Sequence, residues 1–453
     1  MTVDLQIDFQ KTYATQTRPG VANANLDPIV SVAHIAPLYG GAAIAARRLH
    51  IGLRNAGVNS TLYVTLPLTD ELKRDYVQAM PAPNRLLHYV DQSSKIVSRR
   101  VGLTGMIHVS SLFWSFPGFD IVHLHGADSN WFNLHALYRL SRHHALVWTM
   151  HDKQLGTGGS GYPERFGGCE RWLAGCGQCP KVKAQGWWFD FSHFIQARKR
   201  AIVRSTGMTI VAPSQWMFDF ISRSPVTKTQ TLALIPNGVD INSFIPLSRQ
   251  QSRSELGLPA AGKCLLAVAT NLADPRKGWQ FFEPLLRSLK SVYSDDVALV
   301  LIGDPPPVEN IEKLRTILPV HVLGRINSVE RLAMAYSAAD LFIIPSVIDN
   351  FPSVILESLA CGTPVAGFRV GGIPDMVIPG KTGVLTELGD TAALALEIRD
   401  LLNDDNKLLY MRTQSRSQVI QNFSTEIQAE KHLELYDKMI GASHNKNNPT
   451  ALN

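Results

Sequence analysis

Nowhere in the 453 residues is there a run approaching the roughly 20 apolar residues that span a bilayer. Cysteine is scarce. There are five, an odd number, which argues against a secreted disulfide framework. Charge of one sign is lacking too. Lys and Arg total 44, Asp and Glu 38, for a formal net charge of +6 and a pI near 9.0. That is too mild to argue for nucleic acid; it favours anionic substrates or an anionic membrane surface. The opening "MTVDLQIDFQKTYATQTRPG" has neither the basic start nor the apolar run of a secretory leader, so a cytoplasmic protein is expected. No Asp-x-Asp metal signature stands out. The acids at Ser294–Asp296 and Asn403–Asn406 read as solvated helix-end clusters.

Hydrophobic residues make up 45% and charged residues 18%, and the chain exceeds what one core usually holds. Two domains are expected. Residues 1–27 and 442–453 are polar and read as disordered tails. From Pro28 a β-rich run reaches Ile35, a glycine loop follows at Gly40–Gly41, and a helix with Ala43, Ala46 and Leu53 on one face ends near Gly57. "DIVHLHG", "ALVWTMHD" and "MTIVAPS" read as further strands, and Ser214 opens a helix. The Pro-Asn-Gly-Val turn at Pro236–Val239 reads as a linker. After it strands and helices alternate again: "KCLLAVAT", "DVALVLIGD", "VHVLGR", a helix from Ser328, then "ADLFIIPS". Each half therefore reads as a parallel, doubly wound α/β domain.

In such sheets ligands bind past the carboxyl ends of the strands. Three loops qualify: Gly40–Gly41, His151–Asp152 and Ser346–Ser353. Pro352 suits a helix start, and the free N–H groups around Ser353 suit an anion. Glu357 then lies close enough to reach a sugar hydroxyl beside that anion, with Asp349 in the loop ahead. The bland alternative makes Glu357 a dipole-complementing acid and Asp349 a turn former. Arg276 and Lys277 follow the first strand of the second half and suit a diphosphate, or else an exposed charged loop. His151 suits a substrate hydroxyl, or else a satisfied structural role. Leaving-group charge can be met by Lys277, Arg276 and helix N-termini without a metal ion or cofactor.

These pieces resemble the retaining, nucleotide-sugar-dependent glycosyltransferases of the GT-B fold, a family 4-like group that includes polysaccharide and lipopolysaccharide enzymes. "GGAAIAARRL", "DIVHLHG", "HD", "IPNGVD", "RKG", "LIGD", "ADLFIIPS" and "ESLACGTPVAGFRVGGIPDMV" match in order, over about residues 28–435. Pro345 to Gly383 is the specific part. The resemblance implies two Rossmann-like domains facing across a cleft: an acceptor-side domain at 28–235, a donor-nucleotide domain at 236–420, and a helix at 421–441 crossing back. Glu357 is expected at the donor ribose. Asp349, where the family usually has Glu, is expected at the donor sugar. The backbone of Asn350, Phe351, Pro352 and Ser353 should approach sugar and phosphate. Lys277 matches the diphosphate lysine and His151 the histidine near the transferred sugar. The partner arginine normally stands six residues earlier, where this chain has Asn271.

The expected reaction moves a sugar from a nucleoside diphosphate to a growing, lipid-linked glycan with retention of configuration. A nucleotide-sugar 2-epimerase of the same fold and a non-catalytic sugar-binding protein are the alternatives. "MHDKQLGTGGSGYPERFGGCERWLAGCGQCP" looks like an insertion of colanic-acid-type exopolysaccharide enzymes, with Ser160 in place of a usual cysteine. Cys169, Cys176 and Cys179 lack a clear fourth ligand and read as a reduced structural cluster; a structural zinc is the alternative. Arg99 to Phe119 and Gly186 to Arg200 mix aromatic with basic residues. They could rest on the inner face of the plasma membrane, or pack as ordinary core.

Overall fold

The computed structural model describes residues 30–64, 76–80, 89–91, 93, 108–126 and 131–447. They fall into two compact units. Residues 30–237 join 425–447 in one, and 238–424 form the other. The expected leading tail, Arg99, Arg100 and residues 448–453 lie outside the described residues.

The first unit is built on a seven-stranded parallel sheet: β1 (Ser31–Ala36), β2 (Asn59–Val64), β3 (Val77–Ala79), β4 (Ile121–His125), β5 (Ala145–Thr149), β6 (Thr209–Ala212) and β7 (Thr231–Leu234). Their order is β3-β2-β1-β4-β5-β6-β7. β4 is buried at every position, as a sheet covered on both faces requires. The helix Gly41–Asn55 buries Ala43, Ala46, Leu49 and Leu53. Ser214 opens the helix Gln215–Arg223 by accepting the Met217 N–H at 3.1 Å. The chain's last helix, Thr425–Asn447, packs on Gly41–Asn55. Ala429 and Tyr436 of that helix are wholly buried with Val30, Val32 and Leu53. It continues past the expected stop at 441. "ASHNKN" contains no helix breaker, and the first proline is Pro449.

The second unit holds a six-stranded parallel sheet: β8 (Lys263–Asn271), β9 (Val297–Asp304), β10 (Val320–Gly324), β11 (Leu341–Ile344), β12 (Val365–Phe368) and β13 (Gly383–Thr386). Its order is β10-β9-β8-β11-β12-β13. In both sheets the chain first winds one way from the starting strand and then crosses over it. The reversals lie between β1 and β4 and between β8 and β11. A crevice opens at such a reversal, outside the carboxyl ends of the strands, because the connecting helices leave on opposite faces. Inside the second unit, where the two crossing segments run side by side, Val239 N–H donates to Phe423 O at 2.8 Å.

Candidate active site

In the second unit the reversal brings two loops together. β8 ends at Asn271 and leads through the turn Pro275–Lys277. β11 ends at Ile344 and leads to the helix Ser353–Ala360. Asp274 shapes the first loop by accepting the Arg276 backbone N–H at 2.9 Å. Arg276 returns a bond to the second, since its carbonyl accepts Val347 N–H at 2.8 Å. Gly278 has φ +74°, and a Cβ there would lie 1.7 Å from Pro345 O. Only glycine allows the loops this close. Gly371 plays the same part on the far side: φ is +56°, and a Cβ would lie 1.8 Å from Asp349 O.

This packing sets Lys277 against Asp349, with Nζ to Oδ2 at 2.6 Å. The two side chains are 25% and 11% exposed. A lysine ammonium carries three donors, so the bond to Asp349 uses one and fixes the aim of the head group. Glu357 lies one turn into the helix and is 5% exposed. It accepts a hydrogen bond from the Tyr336 hydroxyl at 3.0 Å. Asn350 and Phe351 are buried, and the Phe351 ring packs edge-on to Phe423. What this stretch offers a ligand is therefore backbone. Pro352 precedes the helix with φ −67° and ψ 117°, and Ser353 is its first residue. The Arg276 guanidinium folds back on Asp274, with Nη2 to Oδ2 at 2.6 Å.

Neighbouring strand ends add a pair that sequence reasoning missed. Asp304 ends β9 opposite Asn271. It pairs with Arg325, which follows β10 and holds the carboxyl below its usual range through hydrogen bonding. Tyr336 was also missed, because a helical Tyr reads as core until its hydroxyl is seen to reach an acid.

Gly40, Gly41 and His151 belong to the first unit. Gly40 has φ +94°, precedes the helix Gly41–Asn55, and accepts the Ile44 N–H at 3.1 Å. His151 follows β5 and meets His125, Nε2 to Nδ1 at 3.2 Å. His125 in turn meets His34, Nε2 to Nδ1 at 3.2 Å. His123 bonds Tyr436 Oη and Thr149 Oγ1, both at 2.7 Å. His432 from the last helix completes the group, 5.5 Å from His123 between ring centroids. Burial drives all five below the usual imidazole range, His151 and His432 to about 4, so each is neutral near pH 7. The signal was present in "VHLH": residues two apart on a strand share a face.

The cysteines sit in a separate loop of the first unit. Cys176 accepts the Gly158 N–H at 3.2 Å, and burial pushes its thiol up to about 11. Ser160 Oγ is buried with no hydrogen-bond partner among the described residues. Among the described residues, the three ligand-type side chains whose ligating atoms gather within 4.8 Å are His34, His123 and His125, not the cysteines. Trp114 and Phe116 of the expected membrane segment are core, 5% and 0% exposed. Phe113 of the same segment is 62% exposed, and the second segment exposes Trp188 at 74%, Phe189 at 57% and Phe194 at 52%.

The strand order and the loops at both reversals decide the fold, and solved structures share it. Sucrose-phosphate synthase from Thermosynechococcus elongatus matches with a TM-score of 0.64 at 22% identity, covering 91% of this chain and all of that one. HepE of Anabaena, solved in complex with UDP, matches with a TM-score of 0.60 at 17% identity, over 90% of this chain and all of that one. The fold is GT-B. Each half of this GT-B chain also matches a family model: "Glycosyltransferase Family 4" on residues 39–243 and "Glycosyl transferases group 1" on residues 263–404. Sulfoquinovosyl transferase SQD2 of Arabidopsis thaliana is 34% identical over 212 residues, 45% of this chain and 39% of that protein. The D-inositol 3-phosphate glycosyltransferase of Corynebacterium jeikeium is 31% identical over 261 residues, 54% of this chain and 61% of that protein. The chain spans about half the length of the curated relatives it matches.

Proposed function

We propose that this GT-B protein transfers a glycosyl group from a nucleoside diphosphate sugar to a hydroxyl of a glycan acceptor, with retention of configuration. The observation that carries the reading is the Lys277–Asp349 pair at the strand reversal of the second unit. An aimed ammonium in that crevice suits the charge that builds on a departing diphosphate. The bond from the anomeric carbon to the diphosphate oxygen breaks. The acceptor oxygen takes that carbon, and its proton leaves with the nucleoside diphosphate. Glu357, held by Tyr336, is the group for the ribose hydroxyls. Asp349 orients Lys277, and the backbone from Asn350 to Ser353 lines the sugar and phosphate. In the first unit, His151 is the group assigned to the transferred sugar and the Gly40–Gly41 turn a donor-binding element. The relatives support the donor class, since the named ones transfer sugars and HepE was solved with UDP.

The acceptor we infer is a growing, lipid-linked polysaccharide of the exopolysaccharide type, met at the inner face of a membrane. The exposed aromatics Trp188, Phe189 and Phe194, with Lys183 nearby in sequence, suit a lipid–water interface. Pelleting with anionic liposomes at low salt tests this. Loss of pelleting in Trp188→Ser with Phe189→Ser is expected, and a wild-type protein that ignores the liposomes would refute it.

A panel of nucleotide sugars, each incubated with and without glycan acceptor in excess EDTA, tests the central reading. Nucleoside diphosphate released only in the presence of acceptor is the expected result. Isomerised sugar would mean an epimerase, and no turnover with tight sugar binding a non-catalytic protein. Activity abolished by EDTA and restored by magnesium or manganese would contradict charge neutralisation by Lys277 and helix N–H groups.

A further inference from the structure

Three imidazoles of the first unit form a line: His34 on β1, His125 on β4 and His151 after β5. Two hydrogen bonds of 3.2 Å join them, each between one ring's Nδ1 and the next ring's Nε2. In each bond one nitrogen carries the proton and the other accepts. A neutral imidazole has one of each, so fixing the proton on any ring fixes all three.

One atom fixes it. His34 Nε2 is buried and has no hydrogen-bond partner among the described residues. A buried N–H without an acceptor is far rarer, and costs more, than a buried lone pair without a donor. His34 therefore carries its proton on Nδ1 and donates to His125 Nε2. His125 then carries its own on Nδ1 and donates to His151 Nε2. His151 is left with its proton on Nδ1. Moving that proton to Nε2 would reverse both bonds and put an unpartnered N–H on His34.

We propose that His34 and His125 are positioning residues that hold His151 as the neutral Nδ1–H tautomer, with its Nε2 fixed as a hydrogen-bond acceptor. That transfer depends on His151 rests on the function proposed above; the tautomer does not. His151 Nε2 is occupied as an acceptor, so this ring does not serve as a general base through that nitrogen. The surroundings favour neutrality, because all three rings are buried and His34 and His125 face other imidazoles. His432 repeats the arrangement: its Nδ1 donates to Gln428 O at 2.8 Å, and its Nε2 is a bare lone pair. Ligation of a metal by His34, His123 and His125 is disfavoured by the same geometry. Both nitrogens of His123 are already bonded, to Tyr436 and Thr149.

The test is a long-range 1H–15N correlation spectrum of the full chain labelled at histidine, near neutral pH. The expected pattern for His34, His125 and His151 is a protonated Nδ1 and a bare Nε2. A protonated Nε2 on His151 overturns the proposal, whatever the variants do. His34→Leu removes the donor that starts the line, so His151 should show mixed tautomers. Its kcat should fall about tenfold, on the order of one hydrogen bond, with nucleotide affinity unchanged. His34→Asn keeps a donor near the place of Nδ1 and should restore the wild-type pattern. An unchanged His151 pattern in a folded His34→Leu protein would remove His34 from the role. His151→Ala that still transfers sugar at the wild-type rate would instead defeat the part of the proposed function that uses His151, leaving the tautomer result standing.

Discussion

Lys277 spends one of its three N–H donors on Asp349, and that bond is the reason it matters more than its neighbour. Arg276 is taken up by Asp274, a partner two residues away that costs little to keep. A charge-assisted hydrogen bond to phosphate contributes roughly 1.5–3 kcal/mol, about ten- to a hundredfold in rate. Lys277→Ala should therefore lower kcat/KM at least about tenfold, whereas Arg276→Ala acts mainly through the loop. Steady-state rates over a donor titration check this, and the reverse ranking would move the diphosphate to Arg276. Glu357 poses a different case, since it is buried and accepts a hydrogen bond from the Tyr336 phenol. Glu357→Gln should weaken nucleotide binding strongly. Tyr336→Phe should weaken it less and cost roughly 1–2 kcal/mol of stability, the loss of one hydrogen bond to a buried acid. Calorimetric titration with the nucleoside diphosphate, alongside melting curves, separates the two effects.

The elements show what was legible and what was not. Ser214, Ser328 and Pro352 announce helix starts in the sequence, and the structure begins helices at Gln215, Val329 and Ser353. These signals are local: a cap needs only the next three residues. The parallel, doubly wound character of each half followed from the alternation of strands and helices, because parallel neighbours need crossover connections; the strand order did not. The bond between Lys277 and Asp349 was not legible, since 72 positions separate them and only the backbone approach at Gly278 brings them together. Nor was the histidine face, which draws on β1, β4, the end of β5 and the last helix. That face has a measurable consequence. Its imidazoles take up protons near pH 6.5 in the unfolded chain, while His151 and His432 stay neutral in the folded one down to about 4. The unfolded state thus binds more protons as pH falls across that window, and stability falls with it. Each such histidine contributes up to about 1.4 kcal/mol per pH unit. The melting temperature should drop clearly between about pH 7 and about pH 5, and a flat profile would mean the face is already charged or solvated.

At the scale of the molecule, the two units differ in how the chain supplies them. Residues 238–424 are contiguous and hold Lys277, Asp349, Tyr336 and Glu357. Expressed alone, they should fold and bind the nucleoside diphosphate. The other unit needs residues 425–447, whose Tyr436 and Ala429 are buried in it. A chain ending at Asn237 would bare that face, leave His123 without its Tyr436 partner, and should fail to show a cooperative melt. Adding the last helix as a separate peptide should restore the melt. Recovery without it would make the helix an ornament.

That discontinuity also sets an order of events during synthesis. The first strands leave the ribosome long before the helix that covers them. Residues 238–424 must be made in between, which takes on the order of ten to forty seconds at roughly 5–20 residues per second. Throughout that interval the nascent chain carries a sheet with one face unclosed, and by its end the later unit is complete and free to fold. The amino-terminal unit is thus begun first and finished last, and its exposed apolar face is where a chaperone would be needed during translation.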